Sequence, residues 1–245
     1  MRSIGENCGV FGVFGNDLDA SRIAFFGLYA LQHRGQESSG IAASDGERLA
    51  AHKEMGLVSH AFGEENIRRL AGQAAIGHNR YSTTGGSKLA HAQPLLVNDG
   101  TIALAHNGNI PRLEGLQHLL GEAGIDTAEL SDSAMMAEAI GYFSRNGHPI
   151  EAAVEEAYRL MDGAFSVLVL VRDKLIAFRD RLGIRPLAIG KLNGGYVFSS
   201  ETCAFHPVGA TYIRDVRPGE MVIASSLGLK SVQICEGRQK LDVFE

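Results

Sequence analysis

Three cysteines, Cys8, Cys203 and Cys235, are all that 245 residues contain, an odd and scattered set with no CxxC pair. Such a set builds no disulfide framework and suits a reducing compartment, so the cytoplasm is the expected location. Long apolar runs are missing too. The longest near-continuous one, 164–171, falls far short of the roughly 20 residues that a membrane helix needs. Basic runs end with the pair Arg68 and Arg69, and the net charge is −5, so a nucleic-acid footprint is absent. Nine histidines come no closer together than His52 and His60, which excludes HExxH and any paired-ligand helix; no metal is expected. Glycines 9, 12 and 15 follow neither a Rossmann nor a Walker spacing. The seven residues before Cys8 lack the apolar core of a secretory signal. What remains is an ordinary globular composition, 45% hydrophobic and 21% charged, long enough for one large domain or two small ones.

Short runs rich in β-branched and aromatic residues predict strands at 9–14, 40–43, 74–78, 101–106, 166–171, 175–179, 187–190, 196–199, 220–224 and 231–234. Helical periodicity is confined to four places. Segment 19–33 opens with acidic residues and stops before Gly35. In 112–120, Pro111 suits a first helical turn. Segment 131–145 opens on Ser-Asp-Ser, and 150–161 closes the set. Strands outnumber helices and the helices cluster, which disfavours a doubly wound parallel sheet. The expected class is α+β, with packed, mainly antiparallel sheets and helices outside.

Chemistry-bearing groups gather in LQHRGQESSG (31–40), GHNRYSTTGG (77–86), LAHNGNI (104–110) and LSDS (130–133). Arg80 could grip a carboxylate in a fork, and Asp132 could hold an ammonium. Asn107 offers an amide and Gly108 a close backbone N–H, together an oxyanion hole. Each has a bland alternative: an ion-pair arginine, an Asn-Gly hairpin turn and a helix-capping aspartate. Cys8 likewise is either a small buried apolar residue or a nucleophile exposed when residues 1–7 are removed.

Taken in order, Cys8-Gly9, HRGQ, RYST, AQP, HNGN and SDS resemble the glutaminase domain of class II glutamine amidotransferases, which are N-terminal-nucleophile hydrolases. Downstream, FRDRLGIRPLAIG (178–190), FSSET (198–202) and RDVRPGE (214–220) are similar to the glutamine phosphoribosylpyrophosphate amidotransferase branch. The resemblance implies a four-layer sandwich, two sheets between helical layers, over residues 8–245, with 1–7 a leader removed on maturation. It implies that Cys8 is the nucleophile, that Asn107 and Gly108 steady the oxyanion, and that Arg80 and Asp132 bind the glutamine carboxylate and ammonium. Arg34 would support the nucleophile's loop, with His78 and Tyr81 packing nearby. Once Cys8 is the first residue, its α-amine, with an ordinary pKa of about 7.7–8.0, becomes the base.

The implied activity is hydrolysis of glutamine to glutamate and ammonia, the ammonia going to phosphoribosyl pyrophosphate in the first committed step of purine biosynthesis. Partners would be glutamine and, through a C-terminal domain, phosphoribosyl pyrophosphate, with a homo-oligomer at full length and neither nucleic acid nor membrane. No paired acidic residues follow any predicted strand, so the phosphoribosyltransferase domain is expected to be absent from this chain. Magnesium and an iron–sulfur cluster would belong to the full-length enzyme. Asp242 replaces the usual cluster cysteine, and a carboxylate is the poorer ligand. Asn79, where an apolar residue is usual, and Ala134, where glutamate is usual, are further departures. The small residues around Gly85 and Gly86 mark 80–89 as the loop expected to reorder. The rival readings are ammonia supply to another acceptor and a non-catalytic scaffold of the same fold.

Overall fold

A computed structural model describes residues 8–81 and 89–240; the expected leader, most of loop 80–89 and Asp242 lie outside the described residues. In chain order the strands are β1 (Gly9–Gly15), β2 (Ser38–Ser44), β3 (Leu49–Met55), β4 (Ala74–Arg80), β5 (Leu95–Val97), β6 (Ile102–Arg112) and β7 (Asp162–Val171). They continue with β8 (Lys174–Arg179), β9 (Ala188–Leu192), β10 (Gly195–Ser199), β11 (Thr211–Asp215), β12 (Glu220–Ser225) and β13 (Gly228–Gln233). The helices are α1 (Ala20–Ala30), α2 (Val58–Ala61), α3 (Glu64–Arg69), α4 (Glu114–Glu122), α5 (Asp132–Arg145) and α6 (Ile150–Tyr158). None is long and apolar enough to cross a membrane.

One sheet has seven strands in the order β11-β9-β10-β1-β4-β2-β3, the other six in the order β13-β12-β8-β7-β6-β5. Every pairing among the described residues is antiparallel. Three apolar clusters separate four layers. On β1, Phe11 and Val13 pack with Ala24 and Leu28 of α1, whereas Val10 and Phe14 pack between the sheets. On β7, Leu168 and Leu170 face that central cluster, while Val167 and Val169 face α4, α5 and α6. Strands buried on both faces read as continuous apolar runs, which is the pattern seen in the sequence. Phe11 is fully buried, and cutting its ring back to alanine should cost about 3–5 kcal/mol. The Phe11 ring lies so close to Gly27 of α1 that a β-carbon there would strike it.

Two helices, α1 and α5, start with side-chain caps. The Asp19 carboxylate accepts the Arg22 N–H at 3.2 Å, and the Ser131 hydroxyl accepts that of Ala134, also at 3.2 Å. Asn79, the departure from an apolar residue, is fully buried and satisfied: its amide donates to Leu28 O at 2.8 Å and its oxygen accepts from Ser39 at 3.1 Å. It thereby ties α1 to β4 and β2. Two expectations are corrected. Pro111 lies in β6, not in a helical turn, within a break in register between Asn109 and Arg112; a strand interrupted by a bulge tolerates proline. Asn107-Gly108 is strand rather than hairpin turn, because both residues pair with β7.

Candidate active site

Strand register brings the site together. Gly9 pairs with Asn79, and Ser38 with Arg80, so Cys8 and Arg80 emerge at the same end of the seven-stranded sheet. The six-stranded sheet meets them there through β6, because the buried His78 donates its Nε2–H to His106 O at 3.1 Å across the gap. Cys8, Arg80, Gly108 and Asp132 then line a single cavity of about 500 Å³, with Tyr81, His91, Gln93 and Ser133.

Asn107 does not line that cavity. It is fully buried between two residues that do, and neither of its side-chain amide atoms has a hydrogen-bond partner among the described residues. On β6, Leu104 packs toward the helices while Ala103 and Ala105 pack between the sheets. Alternation therefore turns Asn107 toward the sheet that carries Cys8. A buried amide without partners is costly unless something arrives to meet it. Gly108 beside it has φ +149°, and a β-carbon there would run into Ala164 O and Phe165, so only glycine fits.

The Arg34 guanidinium, almost fully buried, donates through Nε to Cys8 O at 2.9 Å and through Nη1 to Glu201 Oε1 at 2.6 Å. Burial pulls the Glu201 carboxyl upward, but hydrogen bonds from Arg34 and His33 outweigh it and hold the group below its ordinary pKa. Arg80 donates to His91 O at 2.7 Å and stands 3.6 Å from the Glu37 carboxylate, so the ion-pair reading of this arginine also holds. Asp132 is the first residue of α5, not its cap. One of its oxygens accepts the Ser133 N–H at 2.7 Å, the other the Ile110 N–H at 3.3 Å. The cavity wall is thus braced on β6 and α5 together.

Sequence reasoning missed several supports of this wall. Gln93 accepts the His106 N–H at 2.7 Å and donates to Ser133 Oγ at 3.1 Å, linking β6 to α5. Only its place in AQP pointed to it. Glu37 lay unremarked inside HRGQESSG. Glu201 lay inside FSSET, where nothing in the spacing shows that it faces a residue at position 34.

A family model described as the glutamine amidotransferase domain matches residues 78–207, over half the chain. The chain belongs to the glutamine amidotransferase domain family. It is 45% identical to the amidophosphoribosyltransferase of Synechococcus elongatus over 98% of its own length and 50% of that protein's. With the Bacillus subtilis amidophosphoribosyltransferase the figures are 42%, 94% and 48%. Among solved structures, the glutamine phosphoribosylpyrophosphate amidotransferase of Bacillus subtilis complexed with ADP and GMP superposes with a TM-score of 0.85 at 40% identity, over 94% of this chain and 50% of that one. A glutamine aminotransferase class-II domain protein of Silicibacter pomeroyi, 15% identical, shares the fold with a TM-score of 0.58 over 93% of this chain. This amidotransferase domain therefore spans about half the length of the curated relatives it matches.

Among the described residues no cysteines gather as an iron–sulfur cluster would require. Cys235 lies against the Tyr158 hydroxyl at 3.4 Å, and Cys203 lies near Glu201.

Proposed function

We propose that this amidotransferase domain hydrolyses glutamine to glutamate and ammonia, with Cys8 as nucleophile once residues 1–7 have been removed. The observation that carries the reading is the convergence of Cys8, Arg80, Gly108 and Asp132 on one cavity, with the unmet Asn107 amide beside it. Inside the chain, the nitrogen of Cys8 is an amide and cannot take a proton. As a terminal amine it accepts the thiol proton. The thiolate then attacks the side-chain carbonyl carbon of glutamine, forming a C–S bond and pushing the electron pair onto oxygen. Asn107 Nδ2–H and the Gly108 N–H stabilise that oxyanion. As it collapses, the C–N bond breaks and the nitrogen takes the proton from the ammonium of Cys8, leaving as ammonia. The same amine next deprotonates a water, which attacks the thioester and releases the thiolate and glutamate. Arg80 grips the substrate α-carboxylate and Asp132 its α-ammonium, which rejects amides lacking both charges.

The ammonia acceptor in this reading is phosphoribosyl pyrophosphate, yielding phosphoribosylamine for purine biosynthesis, in the cytoplasm. Support comes from relatives named amidophosphoribosyltransferase, whose remaining length would supply the acceptor's site. The test pairs an intact mass with a glutaminase assay. Chain beginning at Cys8 is expected to turn over, whereas chain retaining residues 1–7, or Cys8→Ala with an unchanged melting point, is not. Full activity in chain that keeps the leader would overturn the α-amine as base. More than trace activity in Cys8→Ala would overturn the nucleophile.

A further inference from the structure

On the other side of Arg34 from the nucleophile, three side chains far apart in sequence come together. His33 belongs to a 3-10 turn, Gln32–Arg34, and Cys203 to another, Thr202–Ala204, with Glu201 capping the second. His33 Nε2 is 3.0 Å from Glu201 Oε2, the Cys203 S–H donates to the same oxygen at 3.5 Å, and the three donor atoms all lie within 4.8 Å of one another. Ligand-to-ligand edges in a tetrahedral zinc site, worked from bond lengths of about 2.0–2.3 Å, are roughly 3.3–3.8 Å. Two of the three edges are therefore already at or below that span, and the third is no longer than 4.8 Å. Imidazole, carboxylate and thiol are also the ligand mixture that suits zinc and its analogues better than magnesium or calcium.

Glu201 and Cys203 line a second cavity, of about 320 Å³, with Pro186, Ser200 and Asp215. It gives an ion a way in and leaves room for a water as fourth ligand.

We infer that His33, Glu201 and Cys203 form a site for a thiophilic divalent cation of the zinc class. The cation takes Oε2 of Glu201, the imidazole of His33 and the sulfur of Cys203, whose thiol proton passes to solvent on coordination. Oε1 of Glu201 remains with Arg34 Nη1. The ion is thus one carboxylate and one guanidinium away from the carbonyl of Cys8, and its binding stiffens that link instead of breaking it.

The experiment uses the whole 245-residue chain carrying Cys8→Ala, so that a terminal amine and thiol at position 8 cannot bind metal themselves. Cobalt(II) is titrated in and followed by its thiolate charge-transfer absorption, then displaced with zinc. The expected result is one equivalent of cobalt, a thiolate band, and a melting point raised by zinc. Cys203→Ser should abolish the band. His33→Ala should weaken binding at least about tenfold, and Cys235→Ser should change neither. Both ligand variants alter solvent-exposed side chains, so their unliganded melting points should match the parent. No band in the Cys8→Ala chain, a band that survives Cys203→Ser, or one that depends on Cys235 would each overturn the site.

Discussion

Acid should destabilise this domain through the buried His78. The imidazole is fully buried on β4, with its Nε2–H given to His106 O on the opposite sheet. Burial pushes its pKa down to about 3, with the charges of His106 and Arg80 adding to the fall against the one hydrogen bond that raises it. In the unfolded chain the same ring takes a proton near 6.5. Between those limits the unfolded state holds a proton that the fold refuses, so stability is intact above pH 6.5 and is lost progressively as pH falls toward 3. Each pH unit in that window removes about 1.4 kcal/mol, hence about 2 kcal/mol at pH 5 and roughly 5 kcal/mol in full. The assay is urea unfolding at pH 7, 6 and 5 on the parent and on His78→Gln, whose amide can reach the same carbonyl but does not titrate. Carboxylates titrate alike in both proteins, so the difference isolates the ring. The parent should lose about 2 kcal/mol more than the variant between pH 7 and pH 5. Parallel stability curves would refute the argument, because they would mean that the ring is either hydrated or already charged in the fold.

Other outcomes follow from the same geometry. Asn107→Ala should lower kcat by about 10²–10³ with little change in KM, while its melting point holds or rises, because a buried amide without partners has gone; a parallel loss of stability would mean that Asn107 is structural. Asp132→Ala should chiefly raise KM for glutamine, since the substrate ammonium is present in ground and transition states alike, and steady-state kinetics on both variants would expose interchanged roles. Gly108→Ala should unfold or inactivate the domain, read by circular dichroism and turnover, because the added carbon meets Ala164 O. Chain beginning at Cys8 and ending at Glu245 should release ammonia from glutamine without consuming phosphoribosyl pyrophosphate; consumption, followed by pyrophosphate release, would show that the acceptor's site lies in this half after all.

The three strands that periodicity did not reveal, β3, β5 and β11, all stand at sheet edges. Edge strands bury one face at most, and Thr211–Asp215 is mostly exposed along its length, so its residues carry little of the β signal. Interior strands, buried on both faces, each coincide with an expected run. The site was legible for a different reason. Cys8, Arg80, Gly108 and Asp132 lie in motifs whose order could be matched, and the family model covers the last three. What could not be read was what depends on register: that Gln93 bridges β6 and α5, and that Glu201 meets Arg34 and His33. Those contacts join residues up to 168 positions apart, and no local pattern encodes them.

The hold on Cys8 has a directional consequence. Arg34 grips its carbonyl, Gly9 is paired to Asn79, and Val10 exchanges hydrogen bonds with Ser200. Each of these grips lies downstream of the Asn7–Cys8 bond, so the proposed cut and the bonds that hold fall on opposite sides of one α-carbon. If residues 1–7 are removed as proposed, these three backbone grips remain, because none of them involves the leader. In the proposed reading, that cut turns one nitrogen from amide to amine while the backbone on its carbonyl side keeps the partners that already hold it.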